Sequence, residues 1–129
     1  EGSEEEYEVD AVCIAVGLTP LTGLLSMIGC EMKYVSELGG LVPIIDSLHE
    51  TNIDNLFVCG DASGIEEASS AIVEGYLTGL VACKKLGKPH PNHDELIKGF
   101  NKQLENLRNG PFGKKYLIGL EKLGGLKNA

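Results

Sequence analysis

The segment that most limits how this chain can fold is Leu56-Phe57-Val58-Cys59-Gly60-Asp61-Ala62-Ser63-Gly64, followed by a long helical pattern. Four consecutive apolar residues fit a short strand buried on both faces, and glycine ends it. Residues Glu66 to Leu86 then predict a helix whose apolar stripe takes in Ala68, Ile72, Val73, Tyr76, Leu77, Leu80 and Val81. Acids open that helix (Glu66, Glu67), bases close it (Lys84, Lys85) and Gly87 stops it, the order the helix dipole favours. In open α/β sheets, ligands bind where a strand ends beside a helix N-terminus. Free N–H groups there attract anions or electron-rich oxygens, and the Asp61 carboxylate can accept from a sugar-like hydroxyl. Gly60 lets the backbone come close, where a side chain would obstruct. The dipeptide alone is equally compatible with Asp61 capping a turn or helix, because Gly-Asp is common in turns.

Upstream, Val9-Asp10-Ala11-Val12-Cys13-Ile14-Ala15-Val16-Gly17 predicts a strand buried in a parallel sheet, and Leu21 to Ile28 a short amphipathic helix stopped by Gly29. Met32 to Val35 and Leu41 to Ile45 read as short strands turned by Gly39-Gly40, and Thr51 to Asn55 as a polar turn. Gly75 and Gly79, with Ala71 and Ala82, give the long helix a surface of small side chains suited to packing against a sheet. Lys88-Pro89-His90-Pro91 is a linker. Asn92 opens another helix, with Glu95 completing a capping box and Leu96, Ile97, Phe100, Leu104 and Leu107 as its apolar face, before Gly110-Pro111. The tail from Phe112 to Ala129 reads as a weak helix broken by Gly119, Gly124 and Gly125.

The 129 residues carry a net charge of −8, unevenly spread: residues 1–60 hold 11 acids and one base, residues 61–129 hold 8 acids and 10 bases. Such an acidic chain repels phosphate backbones at long range, which argues against nucleic-acid binding. No apolar run approaches the roughly 20 residues of a membrane span. None of the 4 cysteines forms a C-x-x-C pair, so they read as reduced thiols, with Cys13 and Cys59 as small core residues. With no signal peptide in view, the expected compartment is the cytoplasm. His90 and His93 read as solvated linker residues rather than metal ligands. Ser63, Ser69 and Ser70 read as structural, Tyr76 and Phe100 as core, and no residue is assigned as catalytic acid, base or nucleophile. Glu66 and Glu67 suit ligand hydroxyls and the helix dipole equally.

The stretch from Thr51 to Asp61 resembles the second flavin-binding motif of the two-dinucleotide-domain flavoproteins, the glutathione-reductase-like group. There a threonine turn leads into an apolar strand ending in Gly-Asp. Ala15-Val16-Gly17-Leu18-Thr19-Pro20 is similar to the same group's strand ending in Gly-x-x-Pro. The chain is closer still to the α subunits of heteromeric sarcosine, proline, hydroxyproline and opine oxidases or dehydrogenases. Gly39-Gly40-Leu41-Val42-Pro43, Gly64-Ile65-Glu66-Glu67-Ala68 and Leu107-Arg108-Asn109-Gly110-Pro111-Phe112-Gly113 carry that likeness.

The resemblance implies an α/β fold, the C-terminal portion of an FAD/NAD(P)-binding Rossmann-like domain with short strands, one long helix and a helical tail. Residues 1–8 would be an acidic lead-in, 9–88 the dinucleotide-binding part and 89–129 a helical extension. It implies that Asp61 bonds ribityl or ribose hydroxyls, that the Ala62 N–H lies near the pyrophosphate, and that the helix start at Ala68 and Ser69 faces the flavin pyrimidine. Thr51, Gly60 and Gly17 would shape the turns. FAD is the implied cofactor, with NAD or ATP in its place in some relatives. The G-x-G-x-x-G that grips the adenine half is absent from these residues. The implied partners are therefore the N-terminal remainder of a parent flavoprotein and a second oxidoreductase subunit. The implied function is oxidation of an amine or amino acid by hydride transfer to FAD; the alternative is an electron-relay or scaffold subunit. A disulfide reductase is disfavoured by the lack of a redox C-x-x-C.

Overall fold

A computed structural model of the chain describes residues 2–124. Helix α1 (Gly23–Met27) ends in a Schellman turn. Gly29 has φ +86°, its N–H donates to the Ser26 carbonyl at 3.2 Å and the Cys30 N–H to the Leu25 carbonyl at 3.0 Å. Strands β1 (Met32–Val35) and β2 (Gly40–Pro43) pair antiparallel with Met32 opposite Pro43 and Val35 opposite Gly40. A 3-10 turn, Ser36–Leu38, joins them, and Gly39 at φ +92° reverses the chain.

Three helices follow: α2 (Ala68–Lys85), α3 (His93–Arg108) and α4 (Gly113–Leu123). Helix α2 is closed by a second Schellman turn at Gly87, whose N–H donates to Lys84 at 3.0 Å while Lys88 donates to Cys83 at 2.9 Å. The core lies in two clusters. Val73 and Leu77 of α2 meet Leu104 of α3, with Ile97, Phe100 and Leu107 packed around them. Val35, Leu38 and Val42 of the hairpin meet Tyr116 and Leu123 of α4. Leu38 is fully buried, and α4 reaches it only because Gly119 has no side chain: a Cβ there would stand 2.6 Å from Leu38 Cδ2.

Several expectations are corrected. Residues 9–17 form no strand among the described residues, and Val12, Ile14 and Val16 are 76%, 77% and 92% exposed. A strand buried on both faces needs a neighbour at each edge, and the described residues offer none. Cys13 is accordingly exposed rather than core. Leu56 to Cys59 is extended but makes only one bridge, Phe57 with Glu50, supported by the Val58 N–H on the His49 carbonyl at 2.9 Å. Gly119 lies within α4 instead of breaking it, because the helix gains the contact with Leu38. Asn92 makes no side-chain cap, its own N–H going to His90 Nδ1 at 3.1 Å. Tyr76 is 57% exposed and stacks on Phe100 with ring centroids 5.2 Å apart. Gly75 and Gly79 meet nothing within 4 Å, so that part of the small-residue surface of α2 is uncovered by the described residues, while Ala71 lies against Gly60. Gly125 and the rest of the expected tail lie outside them.

Candidate functional site

The Gly60-Asp61-Ala62 segment is a 3-10 turn that follows the extended residues 56–59 and precedes α2. Gly60 holds φ +65°, a left-handed conformation that glycine adopts without strain. Its carbonyl accepts from both the Ser63 N–H and the Ser63 hydroxyl, each at 2.8 Å. A Cβ on Gly60 would touch Ala71 Cβ at 3.4 Å, so the turn rests directly on α2. Asp61 projects into solvent from this turn, and Ala62 beside it is half-buried. Asp61 does not cap α2, whose N-cap position is Glu67; the Ser70 and Ala71 N–H groups bond the Glu67 carbonyl at 3.0 and 3.1 Å. Ala68 and Ser69 form the exposed first turn, where backbone N–H groups have no intrahelical acceptor.

Thr51 closes the preceding loop. Its Oγ1 accepts from the Ile53 N–H at 3.1 Å and its own N–H donates to the Leu56 carbonyl at 2.9 Å. Gly17, exposed at φ +121°, borders a cleft of about 570 Å³ together with Tyr34, Glu66, Glu67, Ser70 and Tyr116. The cleft thus joins Gly17 to the region around the start of α2. Asp61, Ala62, Thr51, Ala68 and Ser69 are not among its lining residues. Among the described residues no three histidine, cysteine or acidic side chains are placed to hold a metal ion.

Beneath the turn lies a polar network that sequence patterns alone do not announce. Glu74, on the buried face of α2 between Val73 and Leu77, is 2% exposed. Its Oε2 accepts from the Gly60 N–H at 2.7 Å and lies 3.4 Å from Ser63 Oγ. Its Oε1 accepts from Arg108 Nη2 at 2.5 Å and from the Tyr116 hydroxyl at 3.3 Å. Arg108 also grips Glu66, with Nε 3.2 Å from both carboxylate oxygens and Nη2 3.0 Å from Oε2. Its guanidinium lies 4.7 Å from the Tyr116 ring centroid. Burial works against the Arg108 charge, but hydrogen bonding to Glu66 and the surrounding negative charge outweigh it and hold its pKa above the ordinary value. Burial, reinforced by the neighbouring Glu74 charge, pushes the Tyr116 hydroxyl well above the usual tyrosine range. One signal for the network is present in the sequence: an acid on the apolar face of a helix requires a partner, and the chain has one arginine.

The acidic turn at Gly60–Ala62 thus precedes a helix, α2, whose start has no side-chain cap. The family model for pyridine nucleotide-disulphide oxidoreductase matches residues 1–75, more than half of the chain, and the chain belongs to that family, whose Rossmann-type domain binds FAD or NAD(P). Among individual proteins, it is similar to the opine oxidase A subunit of Rhizobium meliloti, 31% identical over 86 residues, which is 67% of this chain and 16% of that protein. The opine oxidase A subunit of Agrobacterium tumefaciens (strain Ach5) is 31% identical over 83 residues, 64% of this chain and 16% of that one. The corresponding opine oxidase polypeptide of Rhizobium meliloti (strain 1021) is 30% identical over 96 residues, 73% and 20%. The chain therefore spans about a sixth to a fifth of the length of these curated relatives. No solved structure matches it significantly. Among the described residues no helix is long and apolar enough to cross a membrane.

Proposed function

We propose that this chain is the C-terminal portion of the FAD/NAD(P)-binding domain of a cytoplasmic oxidoreductase that oxidises an amine or amino acid, opines included. Residues 9–88 form the dinucleotide-binding part and residues 89–129 the helical extension. The observation that carries the reading is the Gly60–Ala62 turn, which leaves the Asp61 carboxylate exposed beside the uncapped start of α2. That donor set fits a dinucleotide. A carboxylate accepts from ribityl or ribose hydroxyls, the Ala62 N–H suits the pyrophosphate, and the N–H groups at Ala68 and Ser69 suit the electron-rich pyrimidine edge of a flavin. Gly17 and Thr51 shape the approach. FAD, when bound, supplies the hydride acceptor. No acid or base for substrate is assigned to this chain, so the substrate-facing groups belong to the parent protein's N-terminal remainder or to a second subunit.

A second reading is favoured by the exposed apolar residues Val12, Ile14 and Val16 and the uncovered Gly75–Gly79 face. On that reading the protein is an electron relay or scaffold whose dinucleotide site holds NAD or ATP or nothing. The visible spectrum of the full-length protein, with and without Asp61→Ala, separates the two. Flavin absorption that Asp61→Ala weakens supports the oxidase; an intact assembly without flavin excludes it in favour of the relay or scaffold.

A further inference from the structure

The Gly60–Ala62 turn owes its position to a residue that is buried behind it. Gly60 is the most conformationally permissive residue type, and its carbonyl is tied only to Ser63 within the same turn. The backbone of the turn is tied to α2 by the Gly60 N–H on Glu74 Oε2, at 2.7 Å, with the Ser63 hydroxyl 3.4 Å from the same oxygen. Glu74 in turn has little freedom, because Arg108 from α3 and Tyr116 from α4 hold its other oxygen. All these contacts approach from the interior, so Asp61 remains exposed on the far side of the turn.

Stability alone is a weak reason for burying such a set. Buried ion pairs exchanged for well-packed apolar groups are often neutral or stabilising, so what this pair supplies beyond stability is the geometry it imposes. Here the geometry imposed is that of one backbone amide next to the acid. We infer that Glu74 is a positioning residue for dinucleotide binding: it fixes the Gly60 amide, while Arg108 and Tyr116 fix Glu74, so that the two helices after Pro91 govern the affinity of the Gly-Asp turn. This rests on the reading of Asp61 as a dinucleotide-binding carboxylate.

The test uses the full-length protein freed of cofactor, with FAD and NAD titrated separately and amide exchange followed at Gly60. Glu74→Gln leaves one acceptor oxygen for the four donors around it, and the Arg108 charge takes it, so the Gly60 N–H loses its partner. The expected result is dinucleotide binding weakened about tenfold or more, the worth of a charged hydrogen bond, with faster exchange at Gly60. Tyr116→Phe keeps the ring, removes one donor and is expected to weaken binding about threefold; it decides the matter if Glu74→Gln does not fold. Wild-type affinity in the variants, or unchanged Gly60 exchange, overturns the inference while leaving the dinucleotide reading intact. A wild-type protein that binds neither FAD nor NAD overturns both.

Discussion

Arg108 Nη2 lies 2.5 Å from Glu74 Oε1, fastening the last residue of α3 to the middle of α2. The same guanidinium neutralises Glu66, so one cation serves two largely buried carboxylates. Arg108→Met strands both acids in a low-dielectric setting. The expected loss is about 3–5 kcal/mol of folding stability, the range for removing one partner of a buried pair. Urea denaturation measures it, and a loss under about 1 kcal/mol would mean that the network contributes no more than a surface contact.

Tyr116 makes stability sensitive to alkali. Its pKa is raised in the folded state, so the neutral phenol is favoured there and the contribution is complete below the unfolded pKa of about 10. As pH rises beyond that value, the unfolded chain releases a proton that the folded one keeps. Stability then falls by about 1.4 kcal/mol per pH unit from this group. Subtracting the Tyr116→Phe curve from that of the wild type between pH 9 and 12 isolates the effect; parallel curves would refute it.

At the acidic end, the hydrogen bond from Lys85, aided by the Asn55 N–H, holds Glu50 below the usual carboxylate range. A depressed pKa contributes stability above the unfolded value of about 4.3, lost as pH falls through the folded value. Lys85→Ala returns the Glu50 titration upward in a carboxyl NMR experiment. It also removes the ammonium 5.7 Å from the Phe57 ring centroid. An unmoved Glu50 titration would show that Asn55 alone sets it.

Two glycine-to-alanine changes have opposite expected signs. Gly64 sits at φ +151°, and a Cβ there would meet Tyr116 Cε2 at 3.1 Å and Leu38 Cβ at 3.2 Å. Gly64→Ala is expected to cost about 1–3 kcal/mol through strain and overpacking. Gly75 is mid-helix with nothing within 4 Å, so Gly75→Ala stabilises this chain by about 1 kcal/mol through helix propensity. Thermal melts of the two variants rank them; equal shifts would contradict the packing described.

Local signals are legible wherever neighbouring residues decide the structure. The Schellman glycines Gly29 and Gly87, the hairpin around Gly39 and the apolar face of α3 all depend on contacts a few residues away, whereas the stripe expected on α2 is buried at Val73 and Leu77 but exposed at Ala68, Ile72 and Tyr76. The strand expected at residues 9–17 does not form, because its apolar run reports a demand for burial, not the presence of partner strands, and the described residues supply none. The buried network escapes sequence reading for the opposite reason. Glu66 and Arg108 look like ordinary helix-end charges one at a time; Glu74, between Val73 and Leu77, shows only that it needs a partner, and tertiary packing alone supplies which. Leu38 likewise shows nothing in sequence of its place under Gly119.

The tyrosine that closes the network stands 42 positions after the acid it touches. During synthesis, at roughly 5–20 residues per second, the loop at Gly60 leaves the ribosome seconds before Tyr116 does. Glu74 therefore spends that interval without its tyrosine, and the support behind the acidic turn is complete only when α4 arrives.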